Sequence, residues 1–283
     1  MDITYTNDGG EGITIRQQKP YFLTRVDGTG SIKQSINTFK APSQDGAFFI
    51  SGTLDMRNIT LEGTIVAKSI DEAAVLRQRL LRIFSPKKAG VLGYHNKRIP
   101  CRVEEVVFAQ SSSARTPSFF ISLLCPSPYF EDMDELRVEL AAWTAKFSFA
   151  LEIPETGIEF GVREPSQIIF VDNDGDVACG CSIQFRALGS VINPELMNVD
   201  TGEVMRILRT MVPGEQITVD THFAAKRVRS VIGSNIENAF PDVDTSSTFL
   251  QLSVGRNTLR YSAEENMDML EVTIFYRPQY LGV

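Results

Sequence analysis

Residues 58–67 read Asn58-Ile59-Thr60-Leu61-Glu62-Gly63-Thr64-Ile65-Val66-Ala67. Ile59, Leu61, Gly63, Ile65 and Ala67 fall on one side of a two-residue period, while Asn58, Thr60, Glu62 and Thr64 fall on the other. Side chains along a strand point to alternate faces, so this stretch predicts a strand with one buried face. Outward from it the same signal recurs. Residues 12–17 alternate through Ile13 and Ile15, residues 21–26 form a short β-rich run after Pro20, and residues 47–54, 91–94, 98–108 and 118–124 read as further strands. One segment breaks the pattern. Leu76, Leu80, Ile83 and Phe84 recur at helical spacing, Ser69 and Glu72 form a capping box, and Pro86 stops the run, which predicts a single helix over 70–84. An amphipathic helix with one apolar stripe belongs across a sheet.

Residues 27–46 contain neither period. They hold Asp27, Gly28, Gly30, Ser31, Ser35, Asn37, Pro42, Ser43, Asp45 and Gly46, which predicts a long loop. Long loops inside compact domains are usually functional. Pro126 and Pro128 then deny ladder hydrogen bonds, and the acidic run 131–135 follows, so a domain junction is expected there. Trp143, just past it, reads as a packing anchor. Beyond the junction come strand signals at 167–171, 179–188, 204–211, 216–220, 226–232, 248–254, 258–262 and 270–276, with Gly, Asn and Asp at the corners. Short, regularly spaced strands of this kind read as a sandwich. The expected architecture is all-β: two β-sandwich domains, residues 1–135 with one flanking helix and residues 136–283 without.

The 283 residues are 43% hydrophobic and 22% charged, enough apolar material for two cores. The net charge of −7 is uneven: basic side chains are in surplus before residue 131 and acidic ones after it. The start, Met1-Asp2-Ile3-Thr4, has neither the basic nor the apolar run of a signal peptide. No stretch approaches the roughly 20 apolar residues of a membrane helix. A soluble product made in the cytoplasm, without membrane insertion, is the expectation.

Catalytic chemistry finds little to stand on. Cys101, Cys125, Cys179 and Cys181 have no metal-knuckle spacing and read as buried thiols, and His95 and His222 are the chain's two histidines. Neither histidine lies in a recognisable nucleophile–base setting. Glu104 and Glu105 are adjacent on a predicted strand and point apart. Asp172, Asp174 and Asp176 resemble half a calcium loop, but Gly175 stands at the fourth position and no Glu at the twelfth. A hairpin turn at Asn173-Asp174-Gly175, using positive φ, is the better reading. Gly28, Gly30 and Ser31 lack the Gly-Lys-Ser/Thr of a phosphate loop. No enzyme activity, cofactor or metal is expected.

Several short pieces, in order, resemble the siphophage distal tail (Dit) family over nearly the whole chain. They include Tyr5-Thr6-Asn7 with Gly12, Asp45-Gly46, Arg57-Asn58-Ile59, Phe84-Ser85-Pro86-Lys87 and Cys125-Pro126-Ser127-Pro128-Tyr129-Phe130. In the second half they are Asn173-Asp174-Gly175-Asp176, Ile192-Asn193-Pro194, Asn198 with Thr201-Gly202, Ile217 to Thr221, Phe249 to Leu252, Gly255 to Leu259, and the stretch from Tyr276 to Val283. The resemblance implies a tail-tube-like first domain that closes into a homohexameric ring. That ring joins the tail tube protein to the tail-associated tip protein in the baseplate, at the virion tail tip. The second domain would be a galectin-like sandwich on the outside that carries receptor-binding or other baseplate proteins. DNA would pass through without specific binding. Within that picture the 27–46 loop, with Asp27, Gly28, Gly30, Ser31, Asn37, Asp45 and Gly46, is expected to contact a neighbouring subunit or the tube ring. The runner-up is a carbohydrate-binding, lectin-like module of a phage or prophage particle; residues 150–283 contain no Trp for a sugar platform. A component of a defective prophage or bacteriocin particle would be chemically the same protein.

Overall fold

The computed structural model describes residues 2–109, 115–140, 143–144, 162–163 and 168–283. The chain divides into two compact units: Met1–Met133 together with Gln279–Val283, and Asp134–Pro278. The division expected at 135/136 places Gln279–Val283 in the second domain, whereas these residues group with the first unit.

The first unit contains β1 (Asp2–Asn7), β2 (Gly12–Arg16), β3 (Tyr21–Asp27), β4 (Gln34–Phe39), β5 (Phe48–Leu54), β6 (Arg57–Ile65), the helix α1 (Ile70–Ile83), β7 (Ala89–Tyr94), β8 (Lys97–Ala109), β9 (Ser118–Cys125) and β10 (Phe130–Asp132). The opening stretch, residues 58–67, supplies β6, with every second residue buried from Arg57 to Ile65. Neighbouring strands run β8-β7-β1-β2-β3-β6-β9, and β8 also pairs β9, so the sheet closes on itself. Ile3, Ile15, Leu23, Ile59, Leu61, Ile121 and Leu123 fill the interior. The helix carries Leu80 and Ile83 into that core, and its C-cap Phe84 joins them. Ser69 Oγ accepts from the Glu72 amide at 3.1 Å, and the Glu72 carboxylate reaches back to the Lys68 amide at 2.6 Å. That reciprocal pairing satisfies donors the first helical turn leaves open. Between β7 and β8, His95 and Asn96 both have positive φ, 45° and 60°, in a two-residue hairpin loop. His95 is thus a turn residue.

The loop expected at 27–46 is corrected in part. Residues Gln34–Phe39 form β4, which pairs antiparallel with β5 in a sheet of its own. Strand propensity alone hid it, because a partner strand overrides the bias of Ser35 and Asn37 toward loops.

The second unit contains β11 (Leu136–Glu139), β12 (Trp143–Thr144), β13 (Val162–Arg163), β14 (Ile168–Asn173), β15 (Cys179–Ala187), β16 (Val191–Ile192), β17 (Glu195–Asn198), β18 (Val204–Arg206), β19 (Thr210–Met211), β20 (Gln216–Asp220), β21 (Arg227–Ile232), β22 (Asn235–Asn238), β23 (Gln251–Leu252), β24 (Gly255–Ser262) and β25 (Leu270–Tyr276). One sheet runs β11-β25-β15-β20-β21-β22, with β23 beside β15; the other runs β14-β24-β17-β18. Ile183, Phe185, Val219 and Ile274 from the first sheet meet Val171, Leu196, Met205 and Tyr261 from the second in one core. This is a sandwich, the arrangement in which two half-apolar sheets bury their inner faces. All four cysteines are buried free thiols. Gln167 and the side chain of Trp143 lie outside the described residues.

Three local expectations are corrected here. Asn173-Asp174-Gly175 is no hairpin: β14 pairs β24 and β15 pairs β25, so the turn carries the chain from one sheet to the other. None of the three adopts positive φ. The Asn173 side chain closes the turn instead, accepting from the Gly175 amide at 3.0 Å and donating to the carbonyls of Val177 and Leu252. The strand expected at 248–254 shrinks to Gln251–Leu252, and that at 204–211 splits around Ile207–Arg209.

Candidate assembly surface

The root of the β4–β5 hairpin is organised by Arg57, the first residue of β6. Its side chain is almost fully buried. Nε donates to the Pro128 carbonyl at 2.8 Å, Nη1 to the carbonyls of Gly28 at 2.6 Å and Gly30 at 2.8 Å, and Nη2 to that of Leu281 at 2.5 Å. The guanidinium also lies over the Phe130 ring, 4.9 Å from its centroid. Only a planar fork of donors satisfies four carbonyls approaching from different directions. Burial pushes the guanidinium pKa down, yet the carbonyl cage and the ring face supply the partial negative charge that holds the cation.

Gly28 is fixed by geometry. Its φ is +85°, and a Cβ there would sit 2.0 Å from the Asn58 carbonyl oxygen. The residue must be glycine for the strand exit to pass this close to β6.

Gln279–Val283 completes the root as a strap. Its Gln279–Tyr280 strand pairs with β10, and the Val283 amide donates to the Thr29 carbonyl at 3.1 Å. Tyr280 donates to Asp132 at 3.1 Å, Asp132 accepts a hydrogen bond from Lys97, and the Lys97 ammonium lies 3.6 Å from the centre of the Tyr280 ring.

Beyond the root the hairpin projects as an arm. Every residue of β4 is exposed, and most of β5 is too. Ile36, Phe39, Phe48, Phe49 and Ile50 are each between 56 and 66% exposed. A bulge between Asn37 and Thr38 shifts the register, so Thr38 faces Phe49 and Phe39 faces Phe48. Phe39, Phe48, Phe49 and Ile50 therefore gather at the far end, while Ser35, Asn37, Ser51 and Thr53 occupy the stem. An apolar cluster left open on one element marks a contact surface.

The residues singled out in the sequence are spread along this arm rather than gathered at one point. Asp27 ends β3 and pairs with Arg25 at 2.7 Å. Gly28 and Gly30 are in the root; Ser31 follows, exposed. Asn37 donates to Ser51 Oγ at 3.1 Å across the hairpin. Asp45 and Gly46, with φ +80°, shape the connection between the strands. Sequence reasoning missed Arg57 as an organiser and Phe48-Phe49-Ile50 as a tip. Three consecutive apolar residues flanking a polar, Gly-rich stretch were the available signal for the tip.

Comparisons with known proteins bear on this architecture. A family model described as "Phage tail protein RIFT-related domain" matches residues 9–139, and one described as "Siphovirus-type tail component, C-terminal domain" matches residues 174–280. The chain belongs to the siphophage distal tail (Dit) family. It is a structural component of the distal tail and baseplate, at the tail tip of the virion. Among solved structures, the SPP1 Dit (gp 19.1) protein, described as a paradigm of the hub of the adsorption apparatus in phages infecting Gram-positive hosts, aligns with TM-score 0.69 at 12% identity over 98% of each chain. Chains of the phage P2 baseplate in its activated conformation, with Ca and with Sr, align with TM-score 0.56 at 11% identity over 100% of this chain and 99% of theirs. These likenesses show a shared fold. No curated protein sequence matches.

Elsewhere in this distal tail protein, buried polar groups close turns and ladders. Glu215 accepts from Ser230 at 2.6 Å and pairs with Arg209 at 2.9 Å; Asn257 ties the carbonyls of Val171, Ser253 and Gly255. One depression, about 410 Å³, is a shallow trough on the first unit lined by Thr24, Glu62, Thr64, Ser118 and Phe120. Its chemistry is hydroxyl and aromatic, with Glu62 its one ionisable group.

Proposed function

We propose that the distal tail protein is the ring-forming hub of its baseplate, with six copies closing through their first domains, residues 1–135. The observation that carries this reading is the arm. Five large apolar side chains project from the first unit on a hairpin with no core of its own. Burying such a side chain contributes about 1.5–3 kcal/mol, so a neighbour that covers the tip gains several such contributions from one element. A protruding arm that meets a different patch on the next copy is a head-to-tail contact, the kind that generates closed rings. The count of six follows the family resemblance.

In this reading the ring joins the tail tube protein to the tail-associated tip protein, and DNA passes through without specific contacts. The second unit, a galectin-like sandwich, faces outward and carries peripheral baseplate or receptor-binding proteins. The protein is not an enzyme: the buried carboxylates and thiols serve the fold.

A triple variant, Phe48→Ser, Phe49→Ser and Ile50→Thr, tests the arm. All three positions are exposed in the single chain, so the variant should fold with an unchanged thermal transition and fail to form rings in negative-stain images. Normal rings from the variant would overturn the reading.

A further inference from the structure

The contacts at the root of the arm point to a device in the order of folding. Arg57 and Leu281 are 224 residues apart in sequence, and the whole of the second unit lies between them. The strap is therefore synthesised only after the second unit. Domains generally fold as they emerge, first unit first. The closed sheet of the first unit can form early, because β1 to β9 are contiguous in sequence. The root of the arm cannot. Of the four carbonyls that hold Arg57, one is Leu281, and the Thr29 carbonyl at the foot of the arm is met by the Val283 amide. Gly282 lies flat against the same spot: a Cβ there would be 3.0 Å from the Gly30 oxygen and 3.1 Å from the Thr29 oxygen.

We propose that Gln279–Val283 is a latch that sets the arm's orientation, so that the arm becomes competent for assembly only in a chain completed through the second unit. Before the strap docks, the segment from Gly28 to Gly30 lacks part of its support and the hairpin swings on it. Docking closes the Arg57 cage, pairs Gln279–Tyr280 with β10, and fixes the direction in which Phe48 and Phe49 point. A ring built from nascent or truncated subunits, without second units, is thereby avoided. This inference rests on the arm being an assembly contact.

Hydrogen exchange on the full chain separates the two ideas. The variant Gly282→Val crowds the strap against the Thr29 and Gly30 carbonyls at the root while leaving the arm's own sequence unchanged, and a chain ending at Pro278 removes the strap altogether. The latch predicts at least tenfold faster exchange at Asp55, whose amide donates to Lys33 at the base of the hairpin, and along β4 and β5, in both variants. Exchange in β6 and β9 stays unchanged, and ring formation falls. Unchanged exchange in the arm of Gly282→Val overturns the latch, whatever happens to assembly. Faster exchange with rings intact upholds the strap's hold on the arm's orientation but overturns its control of assembly, and with it the arm's role as the assembly contact. If the truncated chain fails to fold, Gly282→Val alone decides.

Discussion

The ring of Tyr5 stacks on that of Phe84, centroids 4.2 Å apart and planes 21° from parallel. The first strand is thereby joined to the residue that ends the helix, deep in the core of the first unit. The Tyr5 hydroxyl is buried with no hydrogen-bond partner among the described residues. Desolvation, with smaller contributions from Cys101 and Asp8, pushes its pKa up to about 12. A buried hydroxyl without a partner costs about 1–3 kcal/mol. Tyr5→Phe should therefore be neutral or stabilising by about 1 kcal/mol, whereas Phe84→Ala should destabilise by about 3–5 kcal/mol through lost contact and a cavity. Urea denaturation of both variants checks the pair of signs.

Arg57 makes a contrasting prediction. Arg57→Lys keeps the charge and loses the fork, and an ammonium with three donors leaves at least one of the four carbonyls without one. The expected cost is about 2 kcal/mol or more, seen as a lower denaturant midpoint with an unchanged slope. A variant equal to the parent would show that the cage contributes nothing to stability.

Asp220 gives the second unit a pH dependence. Burial raises its pKa, but hydrogen bonds from Ser182 and Arg227 outweigh burial, and the folded-state pKa lies below the ordinary carboxylate value. The Arg227 Nε is 2.6 Å from its carboxylate. A depressed folded pKa means that the unfolded chain binds the proton more readily. The stabilisation is thus present above the unfolded pKa and lost as pH falls through the folded one. Asp220→Asn should melt below the parent at pH 7, with the gap closing between about pH 4 and the folded pKa. A gap that stays constant as pH falls would contradict this assignment.

Much of this architecture was legible because it rests on local patterns. The alternation through Ile59, Leu61 and Ile65 gave a core strand, and Ser69 with Glu72 marked a helix start that the structure caps with those very side chains. What escaped rests on partners far apart in sequence. β4 is a strand because β5 lies beside it, not because Ser35 or Asn37 favours one. The Arg57 cage is built from backbone carbonyls, which every residue carries, so no residue type announces it. Asn173 reads as a turn residue, but its part is played by the side-chain amide and not by a positive φ.

Native mass spectrometry of the full-length protein over a micromolar concentration series tests the central claim most directly. The account predicts a discrete species of six copies that grows with concentration, with no ladder of open oligomers beyond it. A chain that stays monomeric throughout the range, or that settles at another stoichiometry, would contradict the ring.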